Sequence, residues 1–439
     1  MLRGGKYIQT LLDPPRYPSS ALGMDSEQSS EKYFDIIGFD PRGVNNTTPR
    51  LRCFPNAFNQ QAWLFHQTDY SLLWDSESIL GLEWARAEAL GQSCSRDKNE
   101  NDMVRHANTA QVVEDIVEII ERHAQWRENE AKSILNGLED SKKTRSVLER
   151  TAWKRGKEML QYWGFSYGTI IGSTFSAMHP DRVGRVILDG VVDPIDHYSG
   201  GWMTQLQDTD KIITKFCEYC FEAGQDKCPL FTGDSAKDIE VRVEQIMNGL
   251  HDSPIPVSAS ETRGPEVVLF GDIYLMMLSA MYFSYASAES FFTLLAQLDS
   301  VNATSVAVDS IATIKQGFLK AAKSSHSCHE DGPFSDACVS SNYISGIGAS
   351  QSIFCMDMGG KSNLTKEGFK EYLGDLRSQS KWISRSWALN KISCTGYTVQ
   401  PAWTFDGMWS YNFIFKHVHA HCRLRSHRWQ YFKPYPLNW

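Results

Sequence analysis

At 439 residues the chain can bury a sizeable core, and its 42% hydrophobic and 22% charged content is that of a globular protein rather than a disordered one. Its 44 basic side chains are outnumbered by 52 acidic ones, a formal charge of −8, which excludes the basic footprint that nucleic acid or an anionic membrane would require. Ten cysteines are many for a cytosolic enzyme, and with acceptor sequons at Asn45, Asn46, Asn302 and Asn363 they point to an oxidising, secretory setting.

From the amino end, Met1-Leu-Arg-Gly-Gly-Lys-Tyr7 has no apolar segment of the signal-peptide kind. Tyr7 to Leu12 reads as a short helix, followed by a Pro- and Ser-rich loop to Ser30. The apolar run Tyr33 to Phe39 predicts a strand ended by Asp40-Pro41-Arg42-Gly43, with Asp40 and Arg42 expected to pair and shape that loop. Val112, Val113, Ile116, Val117, Ile119 and Ile120 repeat at helical spacing and predict an amphipathic helix over Thr109 to Trp126 that faces a sheet. The charged stretch Arg127 to Lys157 reads as a solvated helical excursion.

The most informative stretch follows. Met159 to Trp163 is a short apolar and aromatic run suited to a buried strand, and Thr169 to Met178 is a small-residue helix stopped by Pro180. Between them lies Gly164-Phe165-Ser166-Tyr167-Gly168, a G-x-S-x-G arrangement in which a serine ends a strand and starts a helix on a strained turn. That turn tolerates only small residues two before and two after the serine, which Gly164 and Gly168 supply. The pentapeptide alone would arise by chance in about one chain in seven of this length. Its context sharpens it, because Arg185 to Gly190 predicts a second buried strand and so a strand-helix-strand unit of parallel strands, an α/β class. A serine nucleophile needs a histidine to take its proton and a carboxylate to orient that histidine.

Beyond Pro194 the pattern changes to helical stripes, close cysteines and aromatics, with no convincing series of strands to about residue 350. Ile273 to Ala288 is the most membrane-like stretch, but it falls short of the roughly 20 residues needed to span and is read as a buried helix. The spacing of Cys220 with Cys228 and of Cys328 with Cys338 suits local bridges. Cys53 with Cys94 and Cys355 with Cys394 are the longer pairs expected, although spacing alone leaves connectivity open. Cys217-x-x-Cys220 lacks the second pair that a zinc site would need, so no metal and no cofactor is expected.

Trp163-Gly-Phe-Ser-Tyr-Gly-Thr169, followed by His179-Pro-Asp-Arg-Val-Gly-Arg-Val-Ile-Leu-Asp-Gly-Val-Val-Asp-Pro194, closely resembles the tripeptidyl/prolyl aminopeptidase branch of the α/β-hydrolases, and Tyr33 to Gly43 resembles that branch's preceding strand and loop. The likeness runs from about Leu2 to about Phe405. It implies an α/β-hydrolase fold, a mostly parallel sheet with helices on both faces and an inserted helical cap, divided as a core over 1–194, a cap over 195–350 and a C-terminal section over 351–439. It further implies Ser166 as the nucleophile, the backbone N–H of Tyr167 as one oxyanion donor, and a peptide or small amide or ester as substrate. Cap acids such as Asp208, Asp210, Glu218 or Glu222 are candidates to receive a substrate amine.

The sequence departs from the pattern in two places. No Gly-rich oxyanion loop precedes Tyr33, and after Phe405 the expected strand and acid-bearing turn give way to a tail containing His417, His419, His421 and His427, which a shifted reading frame would explain. The triad acid and histidine therefore remain unassigned. His179, His197, His251, His326 and His329 fall in the nucleophile helix or the cap, and Asp189 and Asp357 are the acids considered. The expectation is a serine hydrolase, an aminopeptidase by resemblance, whose sheet is incomplete and whose activity is impaired. The alternatives are an esterase with the same elbow and a hydrolase-fold protein that binds a ligand without turning it over.

Overall fold

The computed structural model describes residues 36–55, 57–66, 72–96, 103–138, 140–261, 263–299, 308–312, 315, 346–360, 362–405 and 419–420. Helices α1 (Ala57–His66), α2 (Glu77–Cys94), α3 (Met103–His106), α4 (Thr109–Leu135) and α5 (Lys142–Thr151) lead into strand β1 (Leu160–Phe165), helix α6 (Tyr167–Met178) and strand β2 (Val183–Asp189). Helices α7 (Pro194–Ser199), α8 (Asp210–Ala223) and α9 (Ala236–Asp252) follow. The short strands β3 (Ile255–Val257) and β4 (Glu266–Val268) then pair antiparallel. After them come α10 (Phe270–Tyr282), α11 (Ser284–Asp299), α12 (Gly346–Asp357), α13 (Lys366–Gln379), α14 (Ser384–Ile392) and the two-residue strand β5 (His419–Ala420).

The molecule is helix-rich around a small parallel sheet of order β1-β2-β5. β1 and β2 run in register from Gln161 opposite Arg185 to Phe165 opposite Asp189. Leu160, Val186 and Leu188 point to one face, where Val112, Val113 and Ile116 of α4 and Ile171 and Phe175 of α6 bury them. Each such side chain contributes about 1.5–3 kcal/mol relative to exposure. Asn108 starts α4 by accepting the Gln111 N–H at 3.0 Å, which fixes the angle at which the apolar stripe meets the sheet. α4 continues to Leu135, beyond the predicted end at Trp126, and α5 buries no residue, in keeping with a solvated excursion.

Helices are expected on both faces of the sheet, but among the described residues they cover one. On the other, Trp163 and Phe165 stack at 5.4 Å, and Phe165 and Ile187 stay exposed. The predicted strand Tyr33 to Phe39 is also corrected: its described part, 36–39, pairs with no described residue and Ile37 is exposed. A strand gains its stability from a ladder partner, and no described strand lies between this segment and β1. Tyr7 to Leu12 lies outside the described residues. The tail after Phe405 shows no strand pattern in the sequence, yet His419 and Ala420 pair parallel with Ile187 and Leu188.

A separate helical core gathers Ile213, Val243, Met277, Phe292 and Leu295 with Leu80 and Trp84 of α2 and Phe369 and Leu376 of α13. The predicted single helix over Ile273 to Ala288 is two helices. Phe283 leaves helical geometry at φ −122° and its N–H bonds back to the Ser279 carbonyl, so Tyr282, Phe283 and Tyr285 are turned out to solvent. A run dominated by apolar residues hid that corner. No helix among the described residues is long and apolar enough to cross a membrane.

Three disulfides join Cys53 to Cys94, Cys220 to Cys228 and Cys355 to Cys394, the pairs expected for those six cysteines. Cys328 and Cys338 lie outside the described residues. In the chain-entropy account the two long loops each contribute about 4 kcal/mol and the short one about 2.5. Such bonds suit an extracellular or secretory location. Cys220 is thereby removed as a metal ligand, and burial pushes the thiol of Cys217 up to about 12, so it stays protonated and inert.

Candidate active site

β1 ends at Phe165 and α6 begins at Tyr167, leaving Ser166 one residue in which to reverse the chain. It does so at φ 52°, ψ −123°, a region that side-chain-bearing residues rarely occupy and that costs about 1–3 kcal/mol. The surrounding bonds hold it there. The Ser166 N–H donates to the Asp189 carbonyl at 3.2 Å, tying the turn to the end of β2. The Ser166 carbonyl accepts from the Thr169 N–H at 2.8 Å and from Thr169 Oγ1 at 2.6 Å, and Thr169 Oγ1 in turn accepts from the Val192 N–H at 3.0 Å.

At both glycines an added side chain would press on Tyr162. A Cβ on Gly164 would stand 2.5 Å from Tyr162 Cε1 and press into the Gly168 carbonyl. A Cβ on Gly168 would meet Tyr162 Oη at 3.2 Å. Tyr162 fills this space because its hydroxyl donates to the Gly168 carbonyl at 2.7 Å, and burial raises its pKa far enough that it remains a donor.

The result is an exposed serine at the carboxyl end of a parallel strand, its hydroxyl bonded to no described residue. It sits on the first turn of a 12-residue helix. The N–H groups of Tyr167 and Gly168 donate to no described acceptor, and the helix dipole adds positive potential where an oxyanion would form. This arrangement suits attack on a carbonyl.

No histidine among the described residues bonds to Ser166. His179 pairs with Glu114 at 2.9 Å and His251 with Asp75 at 2.9 Å. His197, 4% exposed, gives Nε2 to Asp357 at 2.9 Å, and its ring is enclosed by Tyr167, Tyr198, Trp202 and Phe354. Asp357 is thus joined to a histidine, but to one shut away from the serine's hydroxyl. Asp189 serves the elbow through its carbonyl, while its side chain is exposed and makes no described bond. His326, His329, His417, His421 and His427 lie outside the described residues. β5 runs parallel beside β2, with His419 opposite Ile187 and Ala420 opposite Leu188.

Other candidates acquire different partners. Asp210 accepts from Ser380 Oγ and from the Lys381 N–H at 3.0 Å, which makes it a structural acceptor rather than an amine receptor. Asp208 pairs with Lys211 at 2.6 Å, and Glu218 with Lys215. The expected Asp40–Arg42 pair does not form. Arg42 reaches Asp115 of α4 through Nε at 2.7 Å and Nη2 at 2.5 Å, whereas Asp40 accepts from Asn45 at 3.1 Å and from Thr47 through its carbonyl at 2.6 Å. A guanidinium finds a better two-point partner in a helix carboxylate than in a near neighbour in its own turn. The network Thr109–Tyr167–His197–Asp357 was not visible in the sequence, because Thr109 and Asp357 are 248 residues apart.

No family model matches the chain. It is 27% identical over 252 residues to the serine protease Hip1 of Mycobacterium tuberculosis and to that of Mycobacterium bovis, a match covering 57% of this chain and 40% of the relative. It is 25% identical over 166 residues to the tripeptidyl aminopeptidase of Streptomyces lividans, covering 38% of this chain and 24% of the relative. The chain thus spans less than half the length of these curated relatives, and it is a distant relative of hydrolases and serine peptidases.

Proposed function

We propose that the chain is a serine hydrolase of the α/β-hydrolase kind that accepts the acyl portion of a peptide on Ser166, with release of N-terminal peptides or residues as the reaction served. The observation that carries this is the strained, exposed Ser166 between β1 and α6, with two N–H groups behind it that donate to no described acceptor. The names of the distant relatives supply the substrate class, a peptide. Residues 195–350 act as a cap over the site, and the disulfides and exposed sequons Asn45, Asn46 and Asn363 suit a secreted glycoprotein.

In the reaction Ser166 Oγ bonds to the scissile carbonyl carbon and loses its proton to a base, and the carbonyl oxygen takes the negative charge against the Tyr167 N–H. The tetrahedral species collapses, the amine leaves with a proton, and water later frees the acid and restores the hydroxyl. On this reading Ser166 is the nucleophile and the Tyr167 N–H the oxyanion donor, no base among the described residues bonds to Ser166, and loss of triad function costs on the order of a millionfold in turnover. An activated ester, whose leaving group needs no proton, is the sensitive substrate.

Incubation with the p-nitrophenyl ester of a tripeptide is expected to release a slow burst approaching one equivalent, while the matching anilide reacts far more slowly. Ser166→Ala should abolish the burst. Equal release by parent and Ser166→Ala would remove the proposal.

A further inference from the structure

Asp357, at the end of α12, has a side chain only 1% exposed. A carboxylate so placed must be compensated by donors. It finds three: the Thr109 N–H at 2.7 Å, Thr109 Oγ1 at 2.6 Å and His197 Nε2 at 2.9 Å. The Thr109 hydroxyl has one proton, which the carboxylate takes, so Tyr167 Oη, 2.6 Å from Thr109 Oγ1, must be the donor in that contact. The chain of bonds has one direction, from Tyr167 through Thr109 to Asp357, with His197 closing it from the other side. Burial, reinforced by the nearby Asp357 charge, raises the Tyr167 pKa well above its ordinary value, which keeps the phenol a donor at any working pH.

The anchored phenol belongs to the residue whose backbone N–H stands behind Ser166. Its backbone is held by the strained elbow and its ring tip by the Thr109 hydroxyl, itself fixed on a buried carboxylate, so the peptide plane between Ser166 and Tyr167 is set from both ends. The anchor draws on α4, α7 and α12, segments far apart in the chain. We infer that Asp357 is a positioning residue that, through Thr109, orients Tyr167 so that its N–H is aimed at the oxyanion. This rests on the reading of Ser166 as a nucleophile.

The test measures labelling of Ser166 by a fluorophosphonate in the full chain, separating the maximal rate from the half-saturating concentration, for the parent, Thr109→Val, Thr109→Ser and Tyr167→Phe. Thr109→Val is nearly isosteric and removes the hydroxyl relay together with the hydroxyl's bond to Tyr198. Removing an oxyanion donor outright costs on the order of 100- to 1,000-fold, so a donor present but misaimed should cost about tenfold. Thr109→Val and Tyr167→Phe are expected to lose about tenfold in maximal rate with unchanged half-saturation, and Thr109→Ser to recover the parent rate. Folded Thr109→Val labelled at the parent's rate would overturn the inference and leave the nucleophile assignment standing. If Thr109→Val does not fold, Tyr167→Phe decides by the same rates, and its failure to fold would assign the relay to stability alone and also overturn the inference. No labelling of the parent would sink the nucleophile reading and this inference with it.

Discussion

Gly164→Ala is expected to slow fluorophosphonate labelling of Ser166 by on the order of 100-fold, the cost of moving a reacting group by about an ångström. The added methyl would stand 2.5 Å from Tyr162 Cε1 and against the Gly168 carbonyl, so one of them must move. If Tyr162 gives way, its 2.7 Å bond to the Gly168 carbonyl is lost. If the carbonyl gives way, the first turn of α6 tilts, and the Tyr167 and Gly168 N–H groups tilt with it. Overpacking of this kind also costs about 1–3 kcal/mol of stability. Labelling rate and thermal midpoint measured together would check both, and a variant that labels like the parent would contradict the steric account.

Glu121→Ala is expected to destabilise the sheet region by about 3–5 kcal/mol, the cost of leaving a buried charge without its partner. Glu121 of α4 is almost wholly enclosed and accepts from Arg182 Nη2 at 2.5 Å, Trp153 Nε1 at 2.7 Å and the Gly156 N–H at 2.8 Å. Arg182 immediately precedes β2, so the cluster locks the helix to the strand whose far end carries Asp189. Burial alone would raise the Glu121 pKa, but the bonds from Trp153, Gly156 and Arg182 outweigh it and hold the carboxyl below its ordinary range. A depressed carboxyl contributes stability above its unfolded value of about 4.3 and loses that contribution as pH falls through the lower folded value. The stability gap between the parent and Glu121→Gln in urea melts should therefore be full at pH 7 and close below about pH 4. A gap that persisted undiminished in acid would show that the charge is not what holds the cluster.

What the sequence disclosed and what it hid follow from locality. The elbow was legible because its demand for small neighbours is written within five residues, and the flanking strand and helix within twenty. The α4 stripe was legible because Val112, Val113 and Ile116 carry the helical period themselves. The Asp357 network has no such signature, since Thr109, Tyr167, His197 and Asp357 become neighbours only after folding. Arg42 and Asp115 illustrate the same limit: proximity in sequence favoured Asp40, and a carboxylate 73 residues away took the guanidinium. At Phe283 the failure was different, because bulky apolar residues read alike in a buried helix and at an exposed corner.

Peptide mapping after prolonged fluorophosphonate treatment would locate the nucleophile. Trypsin should release Glu158 to Arg182 as one peptide, and this peptide alone should carry the adduct, on Ser166 rather than Thr169, Ser173 or Ser176, with unfolding in urea before treatment preventing it. An adduct on another residue, or one formed on Ser166 as readily in the unfolded chain, would contradict the claim that the elbow makes this serine a nucleophile.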